Sequence, residues 1–236
     1  MEDAFTVAVL ADVHGNLHAL EAVLSDLERR FPDAVVWAGD LVMNGPHPAE
    51  VLAYIMQSGT SAVIGNTDEE AVKGTDVVAR WAQERIGEEG VGCLQVLPLS
   101  HRVTPPGGAS PTDDLLVVHA TPRSCDDLLI LEPHPLGTTF TQPTPMAEAA
   151  RMLNGERANL VVYGHIHYAS AGIVNAQRLA SVGSVGFPFD GDRRAAYALA
   201  AWDGSGWQLE HRRVAYDVLA TIRAWSAQPC RLRTAT

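Results

Sequence analysis

The chain of 236 residues carries a formal net charge of −11 with 47% hydrophobic residues, so it can build a real core in one large domain or two small ones. That acidity excludes a nucleic-acid polymer as the main partner, because such binding relies on arrays of Lys and Arg. Three scattered cysteines without a CxxC, an acidic start at Met1-Glu2-Asp3 and no apolar run of membrane length suit a cytoplasmic protein with no membrane partner.

Residues 7–10 form a short apolar run that reads as a strand buried on both faces and ends in Asp12-Val13-His14-Gly15-Asn16. Leu17, Leu20, Leu24, Leu27 and Phe31 recur at helical spacing opposite Glu21, Glu28, Arg29 and Arg30, predicting an amphipathic helix stopped by Pro32. Residues 34–38 predict the next strand, which delivers Gly39-Asp40. After the loop Asn44-Gly45-Pro46-His47, Pro48 opens a helix through Ile55, with Gly59 as its stop. Residues 61–64 predict a third strand, delivering Gly65-Asn66-Thr67-Asp68. Residues 69–97 read as a small helical cap, broken by Gly74, Gly87, Gly90 and Gly92.

Residues 100–103 and 114–118 predict a hairpin around a Pro- and Gly-rich turn, and its second strand delivers His119. Residues 120–144 have little periodicity and read as a surface loop near the site. A helix over 145–153 precedes a strand over 159–163 that delivers Gly164-His165-Ile166-His167. Strands over 169–174, 177–180, 195–202 and 207–213 follow, the last two joined by the turn Asp203-Gly204-Ser205-Gly206, and a short helix over 218–225 comes last. With no low-complexity linker and no repeat, the economical reading is one α/β domain over residues 1–236, with two packed sheets and helices outside.

Asp12, His14, Asp40, Asn66, His119, His165 and His167 are thus seven candidate ligands at five strand ends. Ligands of α/β sheets bind beyond the carboxyl ends of the strands. Two divalent cations need about this many protein ligands, with one carboxylate to bridge them. Mixed oxygen and imidazole donors suit manganese, iron, zinc or nickel better than calcium.

Taken in order, Asp12-x-His14, Gly39-Asp40, Gly65-Asn66, His119 and Gly164-His165-x-His167 resemble the motifs of the calcineurin-like metallophosphoesterase superfamily, over about residues 7–216. Singly each is weak; all five in order are a strong signal. The tracts 12–17, 183–186 and 190–192 look like those of its small bacterial members, which are phosphodiesterase-like proteins. The resemblance implies a four-layer α/β/β/α sandwich of two mixed sheets, and two metals, manganese first. Asp12, His14 and His167 would hold one metal and Asn66, His119 and His165 the other, with Asp40 bridging. Asp40, Asn66 and His119 would be the catalytic residues, and a hydroxide between the metals would attack phosphorus in line while both cations neutralise the developing charge.

Two departures shape the implied activity. In many superfamily members a His follows Gly-Asn and resembles a general acid; here Thr67 stands there, and a threonine hydroxyl does not titrate near neutral pH. Either the leaving group is already good, a metal helps it leave, or another histidine substitutes, His47 and His134, each in a Pro-rich loop, being the nearest. Second, the protein serine/threonine phosphatases have Asp-Arg where Met43-Asn44 stand, and that Arg can fork onto a dianionic monoester. The resemblance therefore implies hydrolysis of a small or nucleotide phosphodiester. A phosphomonoesterase or dinucleoside polyphosphate hydrolase is the alternative enzyme, and a non-catalytic metal-binding scaffold the alternative of another class.

Other residues have plainer expected roles. His18 belongs on a solvated helix face, and His101 and His211 near the surface. Arg193-Arg194 and Arg212-Arg213 read as solvated strand edges. None of Cys93, Cys125 and Cys230 has the sequence context of a nucleophile.

Overall fold

The computed structural model describes residues 4–129, 131–133 and 140–228. The first apolar run becomes β1 (Phe5–Leu10), and Val7 to Leu10 are fully buried. The chain continues through α1 (Leu17–Leu27), β2 (Ala34–Ala38), α2 (Pro48–Ser58), β3 (Ser61–Val63), α3 (Asn66–Lys73) and α4 (Val77–Gln95). Next come β4 (Ser100–Val103), β5 (Leu115–Val118), β6 (Leu131–Pro133), β7 (Phe140–Pro143), α5 (Met146–Leu153) and β8 (Leu160–Tyr163). β9 (Ala169–Val174), β10 (Gln177–Val182), β11 (Ala195–Trp202), β12 (Trp207–Val214) and α6 (Val218–Ser226) complete it.

Two mixed five-stranded sheets form, in the orders β12-β11-β1-β2-β3 and β4-β5-β8-β10-β9. β1, β2 and β3 run parallel, as do β5, β8 and β10, while the remaining pairings in the two sheets are antiparallel. Side-chain alternation along each strand divides the core into layers. Val7, Val9, Val36 and Ala38 meet Leu115, Val117, Leu160 and Val162 between the sheets. Ala8, Leu10 and Trp37 face the opposite way, onto Leu20 and Val23 of α1, Val51 and Ile55 of α2 and the apolar face of α4. Leu116, Val118, Val161 and Tyr163 cover Ala149 and Leu153 of α5. The architecture is the expected α/β/β/α sandwich.

Residues 69–97 carry most of α3 and all of α4. Gly74 separates these helices and Gly87 kinks α4 with φ 69°, whereas Gly90 and Gly92 continue it. Several expectations need correction. α1 ends at Leu27, so Phe31 is not part of its apolar face; it lies beyond the helix at φ 50°, 81% exposed. The stretch over 120–144 is not wholly loop, since β6 and β7 pair antiparallel within it. His18 is half-buried rather than solvated, because Thr221 of α6 covers it. The side chains of Arg212 and Arg213 are only 24% and 17% exposed and face Asp26 and Asp190 respectively, so both depart from a solvated edge. His134 and Cys230 lie outside the described residues. Among those described, no helix is long and apolar enough to cross a membrane.

Candidate metal centre

The carboxyl ends of β1, β2, β3, β5 and β8 converge, and the side chains just beyond them meet. Hydrogen bonds from Asp12 N–H to the Gly39 carbonyl (3.0 Å) and from His14 N–H to the Asp40 carbonyl (2.9 Å) lock the segments after β1 and β2 together. The Gly164 N–H donates to the His119 carbonyl (2.9 Å), joining the ends of β8 and β5. Close approach sets the residue type at Gly65: a Cβ there would lie 2.2 Å from both the backbone nitrogen and Oδ1 of Asp40.

Asp12, His14, Asp40, His165 and His167 all have left-handed φ between 50° and 65°. Such a conformation costs a non-glycine residue about 1–2 kcal/mol, and its concentration here is typical of functional sites. One ligand atom each from Asp12, His14, Asp40 and His167 lies within 4.8 Å of all the others, and all four residues are buried. Asn66 Oδ1 forms a second focus, 3.0 Å from His119 Nε2 and 3.1 Å from His165 Nδ1. Asp40 stands between them, with Oδ2 at 3.5 Å from His14 Nε2 and Oδ1 at 3.4 Å from His119 Nε2.

Each imidazole commits its other nitrogen to a backbone carbonyl. His14 Nδ1 faces Met43 O (2.9 Å), His119 Nδ1 faces Ala38 O (2.7 Å), His165 Nε2 faces Asp126 O (3.0 Å) and His167 Nδ1 faces Phe187 O (2.6 Å). A carbonyl only accepts, so in the neutral ring that nitrogen carries the proton and the inward one presents its lone pair. Metal-binding histidines are oriented in this way. Converging lone pairs and carboxylates repel one another unless a cation lies between them, so the donor set fits divalent metal.

The charges of these groups are strongly perturbed. Burial lowers the pKa of His14 despite Asp40 beside it, and burial together with His119 lowers that of His165. Burial also acts downward on His119 and His167, but Asp40 and Asp12 respectively lead the contributions that carry both above the ordinary value. Burial opposes the charge on Asp40, yet His119, His14 and the Thr67 N–H hold its pKa down to about 2.

All seven residues singled out in the sequence therefore lie in this one cleft. Thr67 is also here, its N–H donating to Asp40 Oδ1 (2.9 Å) and its buried hydroxyl without a hydrogen-bond partner among the described residues. Three contributors escaped the sequence reading. Asp68 is fully buried and accepts the Leu41 N–H (2.8 Å) and the Gly65 N–H (3.1 Å), bracing the backbone around Asp40; burial and the Asp40 charge push its pKa up to about 7. Phe187 and Phe189 flank His167, Phe189 stacked at 4.4 Å between centroids. Their only sequence signal is proximity to the tract 183–186. Cys125 is remote from nucleophilic chemistry, because burial raises its thiol to about 11.

Residues 5–205 match the model of the Calcineurin-like phosphoesterase superfamily domain, and the chain belongs to that family of metal-dependent hydrolases acting on phosphoesters. Over 225 residues it is 27% identical to the uncharacterized protein MJ0912 of Methanocaldococcus jannaschii, covering 90% of this chain and 88% of that one. Its fold is similar to a metallophosphoesterase from Sphaerobacter thermophilus (TM-score 0.72, 24% identity, 98% of each chain). It is similar as well to the hypothetical protein PH1004 from Pyrococcus horikoshii OT3 (TM-score 0.74, 19% identity, 97% of this chain and 96% of that one).

Proposed function

We propose that the protein is a dinuclear-metal phosphodiesterase acting on a small or nucleotide phosphodiester in the cytoplasm, with manganese as the working metal. The observation that carries this reading is the position of Asp40, whose two carboxylate oxygens each face a histidine of a different focus. In this reading Asp12, His14 and His167 hold one cation, Asn66, His119 and His165 the other, and Asp40 both. The bound pair supplies Lewis-acid activation of water and neutralises charge on the phosphoryl oxygens.

The chain's own residues do the remainder. Backbone carbonyls fix the four imidazoles so that no reorganisation is needed as charge develops. Two aspartates offset only half of the charge of two divalent cations, so the cleft attracts a phosphate anion although the chain is acidic. No arginine stands at Met43-Asn44; the Met43 carbonyl instead orients His14. A monoanionic diester has less need of such a guanidinium than a dianionic monoester.

The test is cleavage of bis(p-nitrophenyl) phosphate and p-nitrophenyl phosphate by manganese-loaded protein. The diester is expected to be the better substrate; turnover of the monoester alone would falsify the diester preference.

A further inference from the structure

A cavity of about 490 Å³ opens beside the metal centre, with His14 on its inner wall. Its volume lies within the roughly 300–1,000 Å³ of small-molecule sites. Phe187 connects the two spaces: its ring lies 6.0 Å from that of His14 and 5.9 Å from that of His167, and it also lines the cavity. Pro46, Ile222 and Trp225 supply most of the remaining apolar wall, and none of the lining residues is Asp, Glu, Lys or Arg.

The outer wall belongs to α6 and is held in place. The Thr221 hydroxyl donates to Asn16 Oδ1 (3.0 Å), and Trp225 stands edge-on to Trp81 at 6.0 Å. Asn16 is fully engaged, because its Nδ2 donates to the Gly186 carbonyl and the Tyr216 hydroxyl. Asn44 lines the same space, is exposed, and has a side-chain amide with no hydrogen bond to any described residue. An uncharged chamber with aromatic walls and one free amide does not suit a second phosphate group. It suits a flat ring with a polar edge.

We propose that this cavity is a subsite for the neutral aromatic group, a nucleobase or aryl ring, of a phosphoester whose phosphorus lies at the metal centre. The placement of phosphorus rests on the phosphoesterase reading above; the choice of aromatic occupant rests on the cavity walls. Phe187 would then contact both the ring and the imidazoles of the centre, and Trp225 and Ile222 would set specificity without touching the reacting atoms.

Calorimetric titration of the manganese-loaded full chain with methylphosphonate, phenylphosphonate and adenosine 5′-thiomonophosphate tests this without turnover. Phenylphosphonate, the nucleotide or both are expected to bind at least tenfold tighter than methylphosphonate. A preference for the nucleotide alone assigns the ring as a base; a preference for both assigns any aryl group. In Ile222→Asp, at a position 53% exposed and so tolerant of a charge, and in Trp225→Ala, the preference should fall below threefold. Equal affinity for all three, no binding of any, or a preference kept in both variants overturns the proposal. Aromatic preference without cleavage of any diester would retain the subsite and remove the phosphodiesterase reading. Cleavage without that preference would do the opposite.

Discussion

His14 Nε2 and His167 Nε2 lie 3.1 Å apart, although the other nitrogen of each ring already faces a backbone carbonyl. Two neutral rings so arranged bring lone pair against lone pair. The contact becomes favourable when a proton or a metal cation lies between them, and the nearby Asp12 and Asp40 carboxylates add to the demand for positive charge.

Metal should therefore stabilise the fold. Manganese at a hundredfold excess over its Kd contributes about 2.7 kcal/mol to a protein with one such site. Thermal melting with and without manganese is expected to show a clear upward shift that Asp12→Asn largely removes. Identical melting curves for the wild-type chain in manganese and in chelator would contradict this.

Asp40→Asn should do more damage than loss of an outer partner, which typically costs ~10–100-fold in affinity or activity. Metal content and turnover are expected to fall together by more than that. A scaffold would keep its binding partner after the substitution, and a variant with full activity would remove Asp40 from the chemistry.

Thr67→His tests the missing acid. The position adjoins the centre through the Thr67 N–H to Asp40 contact. Turnover should rise more for alkyl leaving groups than for nitrophenolate, which needs no proton to depart. Equal effects on both classes would show that the position has no acid role.

The strand ends were legible because each candidate ligand closes a short, continuous apolar run bounded by polar residues or Gly, which is a local signal. β1 and β2 therefore appear as the buried strands expected, and Asp12 and Asp40 follow from them. What was not legible depends on partners distant in the chain. Asp68 looks like an ordinary helix-start residue until the Leu41 N–H is seen to meet it. Phe31 continues the helical spacing of α1, but the chain must turn there so that the Asp33 N–H can reach the Thr6 carbonyl (2.9 Å). His18 reads as a solvated residue because the covering helix is 203 positions away.

Gly65→Ala probes how closely the strand ends meet. A methyl group 2.2 Å from Asp40 forces the segment after β3 away from that after β2. Overpacking of this kind typically costs about 1–3 kcal/mol. Chemical denaturation should show that loss, and metal affinity should fall with it; unchanged stability and affinity would mean that the two segments tolerate separation.

Asp26 provides a pH test away from the centre. Its carboxylate accepts the Tyr197 hydroxyl (2.6 Å) and an Arg29 N–H (2.9 Å), and Arg212 lies at 3.6 Å. Burial acts upward on its pKa, but Tyr197 and the arginines bring it below the ordinary 3.8. A depressed folded-state pKa gives stability that is present above the unfolded value and lost as pH falls through the folded one. Asp26→Asn should thus cost about 1–3 kcal/mol at neutral pH, with the gap to wild type narrowing below about pH 3.8 in urea titrations. A gap independent of pH would contradict the charge-based role.

Anomalous scattering from crystals grown with manganese would locate the ions themselves. Two peaks are expected, one among Asp12, His14 and His167 and one among Asn66, His119 and His165, with Asp40 between them. A cleft without a peak, or a single ion not touching Asp40, would contradict the dinuclear centre.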